Sequence, residues 1–527
     1  MRSTKFGITV LAGGVALALL LSSCSSASPD SDTSMGSSIA TFDLGVREIP
    51  MTLDVAQNYD PQIMAIAGAV NQPLEIPNLD GTFTSVLAEA VSQPDELTLV
   101  YDLRDDAIFS DGAPLTAEDV VWSIERLRQP DTHTAAEVAS IAGVAATGPH
   151  QVTVTMAHPA PGLRGSLALI SFVHQAKYGT EAGAALGTSE APPIGTGPYV
   201  VDTYTADSLT LARNPEFTGE PPAIETLNVV AIADDNAAQL AMRSGELDGI
   251  QVDDIKSAPQ WESIEGVVAH SSAALWVDCI TMDTSKAPFD DVHVRRAVAY
   301  ATDAAGLLAA NYGDFAVLSP GVIAPEVVAS IEPESGALDA VIADSARYDF
   351  NLERAREELA LSAHPDGFSA EFVSWSPAGD IVAQSLTQNL GEIGIELTVK
   401  NRTFGEFGGD MVAGNDPAIA FFRLAATVPD PSSWYGIATN PEDPFNPANF
   451  DNDAATAAFA KVQTSEPATR WEGVAELIRI FTDEVPYVPL AQPDYVFATA
   501  PGVTFTQDPD FIQMASGAWI ETVRAAG

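Results

Sequence analysis

The chain has 527 residues, with 72 carboxylates against 24 lysines and arginines and a formal net charge of −48 at pH 7. A surface so negative repels phosphates, which excludes a nucleic-acid partner, and it keeps copies of the chain apart, so a monomer is expected. The charge would also draw cationic solutes, but it reads more simply as a solvated surface, because net charge governs solubility and encounter rather than the chemistry of a site.

The chain begins with a short basic start, Arg2 and Lys5, and an apolar run from Ile8 to Leu21 that ends in Leu21-Ser22-Ser23-Cys24. Such a run is short for a bilayer span and suits the apolar core of a secretory signal, which needs about 7 to 15 residues. Small residues ahead of a cysteine resemble a bacterial lipobox, so 1–23 reads as a lipoprotein signal peptide and Cys24 as the acylated first residue. The Ser-rich stretch 24–40 reads as a lipidated tether. This places the protein outside the cytoplasm on the outer face of the cell membrane, or on the periplasmic side where there is an outer membrane. Contact with the membrane would run only through the lipid. With Cys24 acylated, Cys279 has no partner for a disulfide, and stability must come from burial.

Past the tether, short strands and helices alternate, the pattern of a mixed α/β protein. Leu97, Leu99, Tyr101 and Leu103 alternate with polar residues, as do Val152, Val154 and Met156, and both sets predict half-buried strands. Thr116 is placed to cap a helix that buries Val120, Ile124 and Leu127 and stops before Pro130. Asn351 opens another, with Leu352, Ala355 and Leu359 on one face and an Arg354–Glu358 pair on the other. From Ile381 to Val399 a helical spacing of Ala383, Leu386 and Leu390 gives way to the alternation of Ile395, Leu397 and Val399, with Gly394 as the turn.

The order of motifs along the chain resembles one family. Leu103 to Val121, reading LRDDAIFSDGAPLTAEDVV, is similar to the signature of family 5 extracellular solute-binding proteins, the oligopeptide and dipeptide binders of ABC importers. The blocks Gly195-Thr196-Gly197-Pro198-Tyr199, Leu211 to Phe217, Gly245-Glu246-Leu247-Asp248, Ala287 to Val298, Glu392 to Leu397 and Val485 to Leu490 follow in family order. Read for themselves, these blocks are structural. Asp111-Gly112 suits a turn, Gly195 to Pro198 a tight loop and Gly245 a helix end, and Gly195-Thr196-Gly197 lacks the Gly and Lys of a phosphate loop.

The resemblance implies two α/β lobes of the type II periplasmic-binding-protein kind, closing on a ligand about a hinge of two crossing segments. Carried onto this chain, lobe I runs over 41–270 with an extra subdomain at about 81–193, lobe II over 271–486, and 487–527 returns to lobe I. The first crossing is expected near Ser271 to Asp283. Partners implied are the membrane permease subunits of an ABC importer and a small ligand, a peptide by family default. An oligosaccharide, metal chelate or opine is the alternative, and no cofactor or bound metal is implied.

In the family an aspartate on a lobe II strand pairs with the ligand's free amino group. Counting back from Asp430-Pro431, its position falls on Thr427, so the resemblance implies weak binding of free-amine dipeptides unless Asp278 or Asp430 stands in. Arg423, Leu424, Ala425 and Thr427 on that strand, together with Trp276, Trp375 and Trp434 beside the expected cleft, are the candidate ligand contacts. Arg423 would meet a carboxylate, and a Trp face would stack on a ring, sugar or guanidinium. Cys279 reads as a buried hinge-strand residue.

The chain is not expected to be an enzyme. It has no His-Glu-x-x-His and no Gly-x-Ser-x-Gly, and its seven histidines are scattered. Among 72 acidic residues some carboxylate pair always looks like a glycosidase dyad, so such pairs carry little weight for a secreted hydrolase.

Overall fold

The computed structural model describes residues 38–526. The leader, Cys24 and most of the tether lie outside them. Within the described residues two large sheets divide the chain. The first has seven strands, in the order Val268–Ser272, Tyr495–Thr499, Gly249–Gln251, Ile39–Val46, Ile224–Ala231, Leu209–Arg213 and Tyr199–Tyr204. The second has six, in the order Ala316–Leu318, Tyr487–Pro493, Trp276–Met282, Ile419–Ala425, Phe368–Ser374 and Ile395–Asn401. A separate four-stranded antiparallel sheet, Ala88–Asp95, Thr98–Leu103, Gln151–Met156 and Ile141–Gly148, lies within 81–193, the span expected for the extra subdomain.

The chain passes between the two large sheets twice. It leaves the first after Ser272 and enters the second at Trp276; it leaves the second after Pro493 and re-enters the first at Tyr495. The return expected at Tyr487 therefore comes later, at Asp494, because Tyr487–Pro493 pairs with Trp276–Met282 inside the second sheet. The two passages are bonded to each other. Gln492 Nε2 donates to Ala274 O at 3.1 Å, and Trp276 Nε1 donates to Pro493 O at 2.8 Å.

Local chemistry explains the elements. Thr116 and Asp119 form a capping box at the start of Ala117–Leu127, with Thr116 N donating to Asp119 Oδ2 at 2.9 Å. Asn351 caps Leu352–Leu361, accepting from Glu353 N and Arg354 N. The pair expected on that helix differs: Arg354 meets Glu357 at 3.8 Å, while Glu358 turns to His293 Nδ1 at 2.7 Å. A partner on a neighbouring helix with a buried flank outcompetes an exposed i,i+4 contact, which contributes only a few tenths of a kcal/mol. Gly394, at φ +91°, turns the chain from Pro377–Gly391 into Ile395–Asn401, a conformation that a side chain would strain.

Cys279 is fully buried on Trp276–Met282, and burial pushes its thiol pKa well up. No helix among the described residues is long and apolar enough to cross a membrane.

Candidate cleft between the two sheets

A cavity of about 1060 Å³ opens where the chain crosses between the sheets, and its wall is drawn from both. The size is at the upper end of the roughly 300 to 1000 Å³ usual for small-molecule sites.

The wall on the second lobe is aromatic and carries one cation. Alternation along Ile419–Ala425 sends Phe421, Arg423 and Ala425 to one face of the sheet and Phe422 and Leu424 to the other. Arg423 reaches the cavity while held from behind by Asp278 on the adjoining strand. Its Nε donates to Asp278 Oδ1 at 2.7 Å and its Nη2 to Oδ2 at 3.0 Å, and Tyr312 Oη donates to the same Oδ2 at 2.5 Å. Asp278 is fully buried, and the Arg423 side chain keeps 30 % of its surface. Burial alone would lower the Arg423 pKa, but the adjacent Asp278 charge overcomes it and the net direction is up. The Tyr312 hydroxyl is pushed far up, first by burial and then by Asp278, so it stays a donor.

Trp276 lies beneath the Arg423 guanidinium, 5.4 Å from ring centre to Cζ, in a cation–π contact, and Phe511 closes its edge at 5.2 Å. Trp375 donates Nε1 to Phe421 O at 3.0 Å and packs against Phe404 at 5.2 Å. Phe404 itself is 68 % exposed, an apolar surface left at the mouth.

The first lobe's wall is acidic. Arg47, at the end of Ile39–Val46, is gripped by Asp235 and by Asp253, whose Oδ2 lies 2.6 Å from Nε. Burial raises the Asp253 pKa in spite of Arg47, with Asp235 and Asp60 adding to the shift; Asp254 is raised by burial and by Asp235. Asp494, in the second crossing, is raised by burial and eased by Ser271, which donates to it. Lys256 also lines this wall.

The expected contacts divide. Trp276, Trp375 and Arg423 line the cavity; Leu424, Ala425, Thr427 and Trp434 do not. Leu424 is 2 % exposed because it points to the sheet's other face. Trp434, 3 % exposed, packs its ring against Tyr487 at 5.6 Å and offers no face for stacking. Thr427 is engaged with Ser433, its N donating to Ser433 Oγ at 3.0 Å. Both acids considered as substitutes for the missing aspartate are occupied, Asp278 by Arg423 and Tyr312, and Asp430 by Arg470 at 2.7 Å and by its role as a helix cap. Glu137, from the subdomain, comes close to Thr427 and Ser166, and burial raises its pKa.

Asp60, Asp253, Asp254, Asn311, Tyr312 and Phe404 were not legible as site residues. Asp60 precedes Pro61 and reads as a helix cap, which it also is; one carboxylate among 72 carries no flag.

Known proteins of the same build fit this geometry. The family model for bacterial extracellular solute-binding proteins, family 5 middle, matches residues 82–445. The glutathione-binding protein GsiB of Escherichia coli (strain K12) is 25% identical over 521 residues, covering 94% of this chain and 95% of that protein. The solved structure of CtaP, an ABC transporter substrate-binding protein of Listeria monocytogenes, superposes with a TM-score of 0.80 at 19% identity, over 93% of this chain and 100% of the other. AgaA of A. tumefaciens R10, solved with agropinic acid, gives 0.77 at 22% identity over 93% and 99%. With two sheets, two crossings, a cavity between them and a family match over most of its length, the chain belongs to the family 5 bacterial extracellular solute-binding proteins.

Proposed function

We propose that this protein is the capture component of an ABC importer, a binding protein without catalytic activity that takes a small solute into the cleft and presents it to the permease subunits in the membrane. The observation that supports this most is the cavity itself, walled by both lobes at the point where the chain crosses between them, so that a bound solute touches both and favours the closed form. GsiB is named for glutathione, and a DppA structure from Helicobacter pylori holds the peptide STSA. A short peptide is accordingly the first ligand class to test, with an opine as in AgaA the second. Closure predicts a more compact molecule when solute is bound, which small-angle scattering reads directly.

The leader adds an anchor. Two acyl chains on Cys24 hold a protein stably at a membrane, since each buried methylene contributes about 0.8 kcal/mol. Cys24→Ala is expected to move the protein from the membrane fraction into the medium or periplasm. Retention of the variant in the membrane fraction would count against acylation at this residue.

A further inference from the structure

Resting on the solute-binding reading above, we infer that the cleft selects solutes of net positive charge, with a short peptide bearing an arginine or lysine side chain as the fitting class. Three observations lead there. The first is how the charges around the cavity are paired. Its wall holds seven carboxylates and three basic groups. Two of the three bases are already spent, Arg47 on Asp235 and Asp253, and Arg423 on Asp278. Glu48, Asp60, Asp234, Asp254 and Asp494 have no ion-pair partner among the described residues, and Lys256 is the one base left to face them.

Of these, Asp254 and Asp494 are half-buried, while Glu48, Asp60 and Asp234 are exposed. Asp253 keeps 39 % of its side chain accessible, yet burial governs its titration, as it does for Asp254 and Asp494. A group both reachable and hemmed in by protein faces an internal cavity, where a cationic solute replaces water as its partner.

The second observation is Asn311, which is independent of the acids. It lines the cavity from the second lobe and is 2 % exposed. Its Nδ2 donates to Ala378 O at 3.3 Å, which fixes the amide's orientation, and its Oδ1 has no partner. A buried acceptor without a donor is costly, and a solute N–H is what completes it. Arg47 Nη1 is likewise buried and unpartnered, a donor suited to a peptide carbonyl.

Third, the second lobe supplies an apolar body for such a solute. Trp375 and the exposed Phe404 flank the cavity, and an aromatic face attracts an ammonium or guanidinium while packing its aliphatic stem.

The test uses the full mature protein and an equimolar set of pentapeptides identical except at the central residue, which is arginine, lysine, citrulline, glutamine or glutamate. Native mass spectrometry of the retained peptides is expected to show arginine and lysine enriched at least tenfold over the isosteric citrulline, with the ratio falling as salt is raised. Asp60→Asn combined with Asp254→Asn, which keeps the helix cap and the volume, should cut that ratio at least threefold at an unchanged unfolding midpoint. Equal retention of arginine and citrulline, or preference for glutamate, would overturn the inference and leave solute binding intact. Retention of no peptide also overturns it. In that case, a different solute released on denaturation would keep the importer reading, and no released solute at all would count against both.

Discussion

Asp278→Ala is expected to lower the stability of the fold by about 3 to 5 kcal/mol, the cost of stranding a buried charge. Asp278 is fully buried at the centre of the second lobe's sheet, flanked by Ile419–Ala425 and Tyr487–Pro493. Both of its oxygens are used, by two Arg423 nitrogens and by Tyr312 Oη. Alanine removes the counter-charge and two acceptors at once, and Asp253, whose charge also reaches the Arg423 guanidinium, is already paired with Arg47. Replacing both partners with apolar residues of similar size is far milder, because no unpaired charge remains. Asp278→Ala with Arg423→Met should therefore recover much of the loss. Chemical denaturation followed by tryptophan fluorescence reads both variants. An Asp278→Ala midpoint equal to that of the parent would mean the pair is not buried as described.

Gly195→Ala is expected to be nearly as damaging, for a reason of space rather than charge. A Cβ at this position would lie 1.9 Å from Val70 O, at the end of the helix Pro61–Val70, and 2.5 Å from Asn71 Oδ1. Backbone cannot step aside as a flexible side chain does, and the same carbonyl accepts from Gly197 N at 2.8 Å, so the loop cannot move off without losing that bond. Overpacking typically costs about 1 to 3 kcal/mol and more where backbone must shift. Gly112 makes the comparison: its φ is +84°, but nothing lies within 4 Å of a Cβ there, so Gly112→Ala should cost only the conformational strain of about 1 to 2 kcal/mol. Thermal unfolding of the two variants should rank Gly195→Ala well below Gly112→Ala. The reverse order would remove the close approach as the reason for glycine at 195.

These residues show what the sequence could and could not convey. Gly195 and Gly197 were legible as a tight loop, since glycine at short spacing before a strand marks a turn, but the contact with Val70 joins segments more than a hundred residues apart and leaves no local sign. The capped helix after Thr116 and the turn at Gly394 were legible because their causes are local: a side chain bonding three residues on, and a backbone angle that suits glycine.

The cleft was readable only on one side. Trp276, Trp375 and Arg423 were reached through the resemblance, which sets their segments beside the cleft, and all three line the cavity. The acidic wall did not stand out, because carboxylates are everywhere in this chain and only the fold decides which of them face inward. Trp434 was reached through the same resemblance and is buried, since helix geometry turns it onto Tyr487. Thr427 was noticed for the aspartate it replaces, yet it lies off the cavity; the acids that do line it, Asp60 and Asp254 among them, come from segments that pattern alone does not bring together.

The central claim is that two lobes close on a solute held between them, and the radius of gyration in solution tests it most directly. Protein stripped of small molecules by partial unfolding and dialysis is compared with the same protein saturated with a solute that calorimetry shows to be bound. Closure about the crossings at 273–275 and Asp494 predicts a smaller radius in the bound state, together with a change in the fluorescence of Trp276 and Trp375. An unchanged radius with a tightly bound solute would contradict the account.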